Sequence, residues 1–152
     1  MWWQVGLIVP LCLLLGGVAT LALLSLFAPR PTNLGVRDGR LAPCPVSPNC
    51  VCSQDEGAHH VEPLRCAGDP KNEMTRLAEI LTARPRTRLV AATDTYIHAE
   101  CVSRLFRFVD DLEFLLDAAA GVIHVRSASR TGYYDFGVNR GRVEAIRQAF
   151  QR

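Results

Sequence analysis

The chain has 152 residues, of which 49% are hydrophobic and 21% charged, and its formal net charge at pH 7 is +2. That length supports one domain with a real core. Acidic and basic residues are interleaved with no basic run, which excludes nucleic acid from the expected partners; internal repeats and low-complexity tracts are also absent from the sequence.

No charged side chain occurs in the first 28 residues, and 5–28 is almost wholly apolar. Roughly 20 apolar residues, at about 1.5 Å of rise each, are enough to span a hydrocarbon layer. A secretory signal would start with basic residues, carry a shorter apolar core and end in small residues. Here basic residues are missing, and "LFAPR" puts Leu26 and Phe27 where small residues belong. Cys12 follows Leu11, which argues against a lipid-modified cysteine. Pro10, Gly16 and Gly17 are tolerated inside membranes. The run therefore predicts a single-pass membrane anchor over 1–28, with the lipid bilayer as partner through 5–28. The positive-inside rule, applied to Arg30, Arg37 and Arg40 against Asp38, favours a cytoplasmic C-terminal domain. Cys44, Cys50, Cys52, Cys66 and Cys101 form a density more usual in an oxidising compartment. The two signals oppose each other, and the side of the membrane stays open.

A linker over 29–40, broken by Pro and Gly, leads into a domain over 41–152. "CPVSPNCVCSQDEGAHHVEPLRC" reads as turns. The first helix is predicted in "GDPKNEMTRLAEILTARP". Asp69 caps it, Pro70 takes the first position, Met74, Leu77, Ala78 and Leu81 share a face, and Pro85 ends it at Arg84. Four strands follow. They are "TRLVAAT", "YIHAECVS" with Ile97, Ala99 and Cys101 inward, "LFRFVDDLEFLLD" with Phe106, Phe108, Leu112, Phe114 and Leu116 inward, and "GVIHVRSAS" with Ile123 and Val125 inward. A closing helix, "NRGRVEAIRQAFQR", takes Asn139 as its cap and buries Val143, Ile146 and Phe150. The expected class is α+β: an antiparallel sheet of about four strands packed with two helices, its other face solvated.

Asp110 falls in register with Phe108 and Leu112, on the apolar side. A buried carboxylate needs a charged or multiply hydrogen-bonded partner. Arg126 or Arg130 is the expected partner, because an arginine grips a carboxylate with two donors; a bulge at the Asp-Asp pair is the alternative. Val125–Arg140, "VRSASRTGYYDFGVNR", then supports two readings. One is a buried salt-bridge network fixing the last strand to the last helix. The other is a polar or anionic ligand site formed by Arg126, Ser127, Ser129, Arg130, Asp135, Asn139 and Arg140, with Asp110, Asp111 and Glu113 as supporting carboxylates.

The cysteines also have several readings: a short-loop disulfide between Cys44 and Cys50, a metal group of these with Cys52, His59 and His60, or simple thiols. A rival enzymatic reading, hydrolase-like or metal-assisted, uses the polar sheet face of His98, Glu100, Asp111, Glu113 and His124. The sequence holds no Gly-rich phosphate loop, nucleophile elbow or H-E-x-x-H. No catalytic residue, metal or cofactor is assigned, and a non-catalytic module binding a polar ligand or a protein partner leads.

Three motifs in order, "CPVSPNCVCS", "FRFVDDLEFLLD" and "GVIHVRSASRTGYYDFGVNRGRVEAIR", give a resemblance to the uncharacterised family called domain of unknown function 1499. The family's Cys-Pro pair, Ser-Pro-Asn-Cys-Val, Asp-Asp-x-Glu-Phe and Arg-Ser-x-Ser-Arg-x-Gly map onto Cys44-Pro45, Ser47–Val51, Asp110–Phe114 and Arg126–Gly132. Cys52 departs from it, where a serine is the more familiar residue, and leaves the pairing of Cys44 with Cys50 open. The resemblance implies a domain from about Leu41 to Phe150 and implies no activity.

Overall fold

The structure is a computed structural model; it describes residues 2–26 and 28–152, apart from the side chains of 2–5, 7, 14, 21, 22, 24 and 26. Helix α1 occupies Trp2–Leu26. Among the described residues no helix is long and apolar enough to cross a membrane. The span expected over 5–28 lies partly outside those residues, since it includes Phe27 and several undescribed side chains. Within α1 the one buried side chain described is Ser25, whose Oγ donates to the Arg107 carbonyl at 2.6 Å.

The rest is α+β. Strands β1 (Cys50–Cys52), β2 (Leu64–Arg65), β3 (Thr87–Ala92), β4 (Tyr96–Val102), β5 (Val109–Asp117) and β6 (Val122–Ser129) form one antiparallel sheet. Its order is β1-β6-β5-β4-β3, and β2 also pairs with β6. Six strands stand where about four were expected. β1 and β2 are three and two residues long, too short for a period-two pattern, and their residues read as turns. The inward run expected from Phe106 is also shorter, because β5 starts at Val109. The alternative bulge at the Asp-Asp pair is absent from β5, whose pairing with β6 is regular from Asp110 to Asp117; the register shift lies in β3, between Leu89 and Ala91.

Helix α2 (Pro70–Thr82) forms as the sequence dictates. The Asp69 side chain accepts from the amides of Lys71 and Asn72, and Pro70 opens the helix. Met74, Leu77 and Leu81 are buried. Helix α3 (Val138–Phe150) buries Val143, Ile146 and Phe150 on the same side of the sheet. Its cap differs from expectation. Gly137 stands at the N-cap with φ 78°, and the Asp135 carboxylate accepts from the amides of Gly137 and Asn139. Asn139 lies inside the helix and is fully buried. The core joins these helices to Ile97, Ala99, Leu112, Phe114, Ile123 and Val125 on one sheet face. Burial of such side chains, at roughly 25 cal/mol per Å² of apolar surface, drives this layer together.

The opposite face is not solvated as expected. His98, Glu100, Asp111, Glu113 and Arg126 are all buried. The segment after α1 lies across them: Arg30 pairs with Glu100, and the Gly35 amide donates to Glu113 at 2.7 Å. It then runs on to the buried Leu41 and the Cys44 amide, which donates to Asp55. Residues 28–45 therefore act as a strap over the charged face, a third layer that alternation within the strands cannot report.

Candidate functional site

Regular pairing of β4, β5 and β6 stacks charged residues across the face under the strap. Glu100 lies opposite Asp111, His98 opposite Glu113, and Glu113 opposite Arg126. Arg130, just past β6, grips Asp111 with two donors, Nε to Oδ2 at 2.8 Å and Nη2 to Oδ1 at 2.7 Å. The same Nη2 reaches Glu100 Oε1 at 2.6 Å. Arg30 and Arg88 close on Glu100 from the rim at 2.7 and 2.6 Å. His98 Nε2 lies 2.8 Å from Asp111 Oδ1. Glu113, fully buried, accepts from the Tyr96 hydroxyl, the Gly35 amide and Arg126 Nη1.

Electrostatics follow from these contacts. Burial raises the Glu100 carboxyl, but hydrogen bonds from Arg130, Arg30 and Arg88 outweigh it and hold it at about 2. Asp111 is likewise below its usual range, burial being outweighed by Arg130 and His98. Arg130 is raised, first by its bond to Asp111. Burial, then the bond to Glu113, pushes the Tyr96 phenol up. These carboxylates are counter-ions fixed in their charged form. A general base works best with a pKa near the working pH, and Glu100 and Asp111 have been moved the other way.

The sequence-predicted residues divide between the two sheet faces. Asp110 is buried on the helix face, as its register requires, but neither Arg126 nor Arg130 is its partner: both project to the opposite face. Arg142 of α3 takes that role, its Nη2 donating to Asp110 Oδ2. Ser127 and Ser129 also face α3 and bond to Asn139, whose amide further donates to the Asn49 carbonyl at 2.9 Å. Arg140 donates to the Ala58 and His60 carbonyls. Hence Arg126 and Arg130 share one face, Ser127, Ser129, Asn139 and Asp110 share the other, and Arg140 and Asp135 belong to the helix entrance. The seven do not converge on one ligand. Arg142, Arg30, Arg88, Tyr96 and Gly35 are participants that sequence reasoning missed. Asn139 was legible as a buried residue, since 139, 143, 146 and 150 repeat at helical spacing; Gly35 left no signal.

Asn139→Ala is expected to cost about 2–4 kcal/mol, because it removes the amide that joins Ser127, Ser129, the Asn49 carbonyl and Arg142 Nη1 in a buried site. Loss of a cap alone costs about 1 kcal/mol. Urea unfolding separates the two.

Cys44 and Cys50 form a disulfide, with Cα atoms 5.6 Å apart. It ties the strap to the start of β1. Its removal as Cys44→Ser with Cys50→Ser should lower stability by about 2 kcal/mol, read by thermal unfolding with and without reductant. Cys52 is a buried free thiol, raised by burial. His59 and His60 turn Nδ1 to the carbonyls of Cys50 and Asp55. Among the described residues no group of three or more His, Cys, Asp or Glu side chains is placed to hold a metal.

One cleft opens onto the charged face. It encloses about 390 Å³ between the strap at Pro31, Asn33, Pro43 and Cys44 and the sheet at Asp111, Arg126 and Arg130. Arg126 is 4% exposed, and its Nε is buried with no hydrogen-bond partner among the described residues. His98 and Glu100, which the enzymatic reading needs in a cleft with Asp111, do not line this one.

A family model described as "Protein of unknown function (DUF1499)" matches residues 40–150. No curated protein and no solved structure matches the chain.

Proposed function

The chain belongs to the family of unknown function DUF1499, and we propose that it is a binding domain rather than an enzyme, held at a membrane by α1. Its ligand is small, carries an acceptor oxygen such as a carboxylate or phosphate, and enters the cleft under the strap. One observation carries this reading: the Arg126 Nε–H, buried beside that cleft without a hydrogen-bond partner among the described residues. A buried donor left unsatisfied costs about 1–3 kcal/mol, and a ligand oxygen would remove that cost. The ion pairs around it are arranged as a rigid frame, which suits recognition without reorganisation.

The anchor is supported by the uncharged run through residue 28 and by the exposure of Leu11, Leu13, Leu15 and Leu23 on α1. Large apolar side chains exposed along a helix are suited to a lipid or protein contact. The test is native mass spectrometry and titration of the full chain in detergent with acetate, succinate and inorganic phosphate. Arg126→Lys keeps a cation for Glu113 and deletes the Nε–H. It should leave the thermal midpoint nearly unchanged and weaken binding about tenfold. Equal binding by wild type and variant, or none by either, defeats the proposal.

A further inference from the structure

The end of the sheet at which α1 joins the domain is unlike the rest of its surface. β4 ends there and β5 begins, joined by the loop 103–108, which carries the Ser25 contact. β6 runs antiparallel to β5, with Ser129 opposite Asp110, so the loop 130–137 leaves from the same end. Arg86 is also there, its carbonyl accepting from the Val102 amide. Between the start of β3, the end of β4 and the start of α3 lies a cleft of about 480 Å³ lined by Arg84, Arg86, Arg104 and Arg142. Arg142 is engaged by Asp110. Among the described residues Arg84, Arg86 and Arg104 form no ion pair and no side-chain hydrogen bond, whereas Arg30, Arg88, Arg126, Arg130 and Arg147 all do. No carboxylate lines this cleft. The loops of the same end expose large apolar side chains: Leu105 at 69% in the loop beside this cleft, and Tyr133 at 62%, Tyr134 at 64% and Phe136 at 94% toward the β1 edge, where Tyr134 and Phe136 line a separate cleft with Val46, Pro48 and His59. Phe136 is held at φ 54°, a backbone conformation that a bulky residue adopts at a cost.

We infer that this end docks on the anionic surface of the bilayer, with lipid phosphates entering the arginine cleft and the loop aromatics resting among the headgroups. This rests on the reading of α1 as the anchor. The chemistry is complementary. Unpaired guanidiniums bind phosphate oxygens with paired donors. Amphipathic rings favour the interfacial layer. The helix leads into the domain at this end, so the docking surface and the anchor would meet the same leaflet.

The test uses the full chain with phosphatidylcholine vesicles, alone or mixed with an equal part of phosphatidylglycerol. Flotation reports the anchor; amide exchange at Arg84, Arg86, Thr87 and 103–106 reports docking. The expected result is flotation with both lipids and exchange slowed roughly tenfold with phosphatidylglycerol alone, abolished by Arg84→Gln, Arg86→Gln and Arg104→Gln together. Among the described residues these side chains make no ion pair and no hydrogen bond, and circular dichroism checks that the triple variant is folded. Flotation with both lipids but the same exchange in each overturns docking and leaves the anchor standing. Failure to float on phosphatidylcholine overturns the anchor; docking then survives only as phosphatidylglycerol-dependent flotation lost in the triple variant. Equal protection by inorganic phosphate in solution would make this a soluble-anion site and also overturn the proposal.

Discussion

Arg130→Met is expected to destabilise the domain by about 3–5 kcal/mol at neutral pH, because it removes the cation that two buried carboxylates share. Asp111 would keep His98 alone, and Glu100 would keep Arg30 and Arg88 at the rim. The variant should also change the response to acid. In the wild type the folded Glu100 carboxyl sits at about 2 against an ordinary 4.5. A carboxyl lowered by folding stabilises fully above its ordinary pKa, and that stabilisation is lost as pH falls toward the folded value. For Glu100 this is about 3 kcal/mol, lost between about pH 4.5 and 2. Asp111 is lowered too and adds in the same direction. Without Arg130 both carboxyls move back up, so the variant has less left to lose in that window. Urea unfolding at neutral pH and at steps down through the window measures both effects. A variant as stable as the wild type at neutral pH would show that the network contributes nothing net.

Glu113→Gln is the second large effect, with an expected cost of about 3–5 kcal/mol at nearly constant volume. The fully buried Glu113 carboxylate is the only counter-ion that Arg126 has among the described residues, and it is also where the strap is fastened, through the Gly35 amide. The amide side chain can still accept one of these bonds but cannot neutralise the guanidinium. Two readouts separate loss of charge from loss of volume. Exchange at Gly35 should speed up as the strap loosens. The Tyr96 phenol, raised by burial and then by Glu113, should titrate lower. An unchanged Gly35 amide would mean that the strap is held by its other contacts, Arg30 to Glu100 and the disulfide.

Local pattern carried much of this architecture. The spacing of Met74, Leu77 and Leu81 and the Asp69-Pro70 start produced α2 as read. Alternation in 96–102 and 122–129 put Ile97, Ala99, Ile123 and Val125 in the core, and it placed Asp110 on the helix face with Asp111 and Glu113 on the other. Period two fixes sides, because successive side chains of a strand point to opposite faces. It cannot say what covers the second side. Charged residues there looked solvated because a solvated face and a face of mutually neutralised ions have the same composition.

By itself, then, the sequence determined the α+β class, the helix and strand faces, the family and the need of buried carboxylates for cations. Tertiary structure alone decided which cation each received: Arg142 for Asp110, Arg130 for Asp111 and Glu100, Arg126 for Glu113. It also decided that 28–45 returns over the sheet and that Arg84, Arg86 and Arg104, around one cleft, form no ion pair among the described residues. Such pairings join residues far apart in the chain, and their energies depend on distance and burial, which no spacing rule along one strand or helix contains.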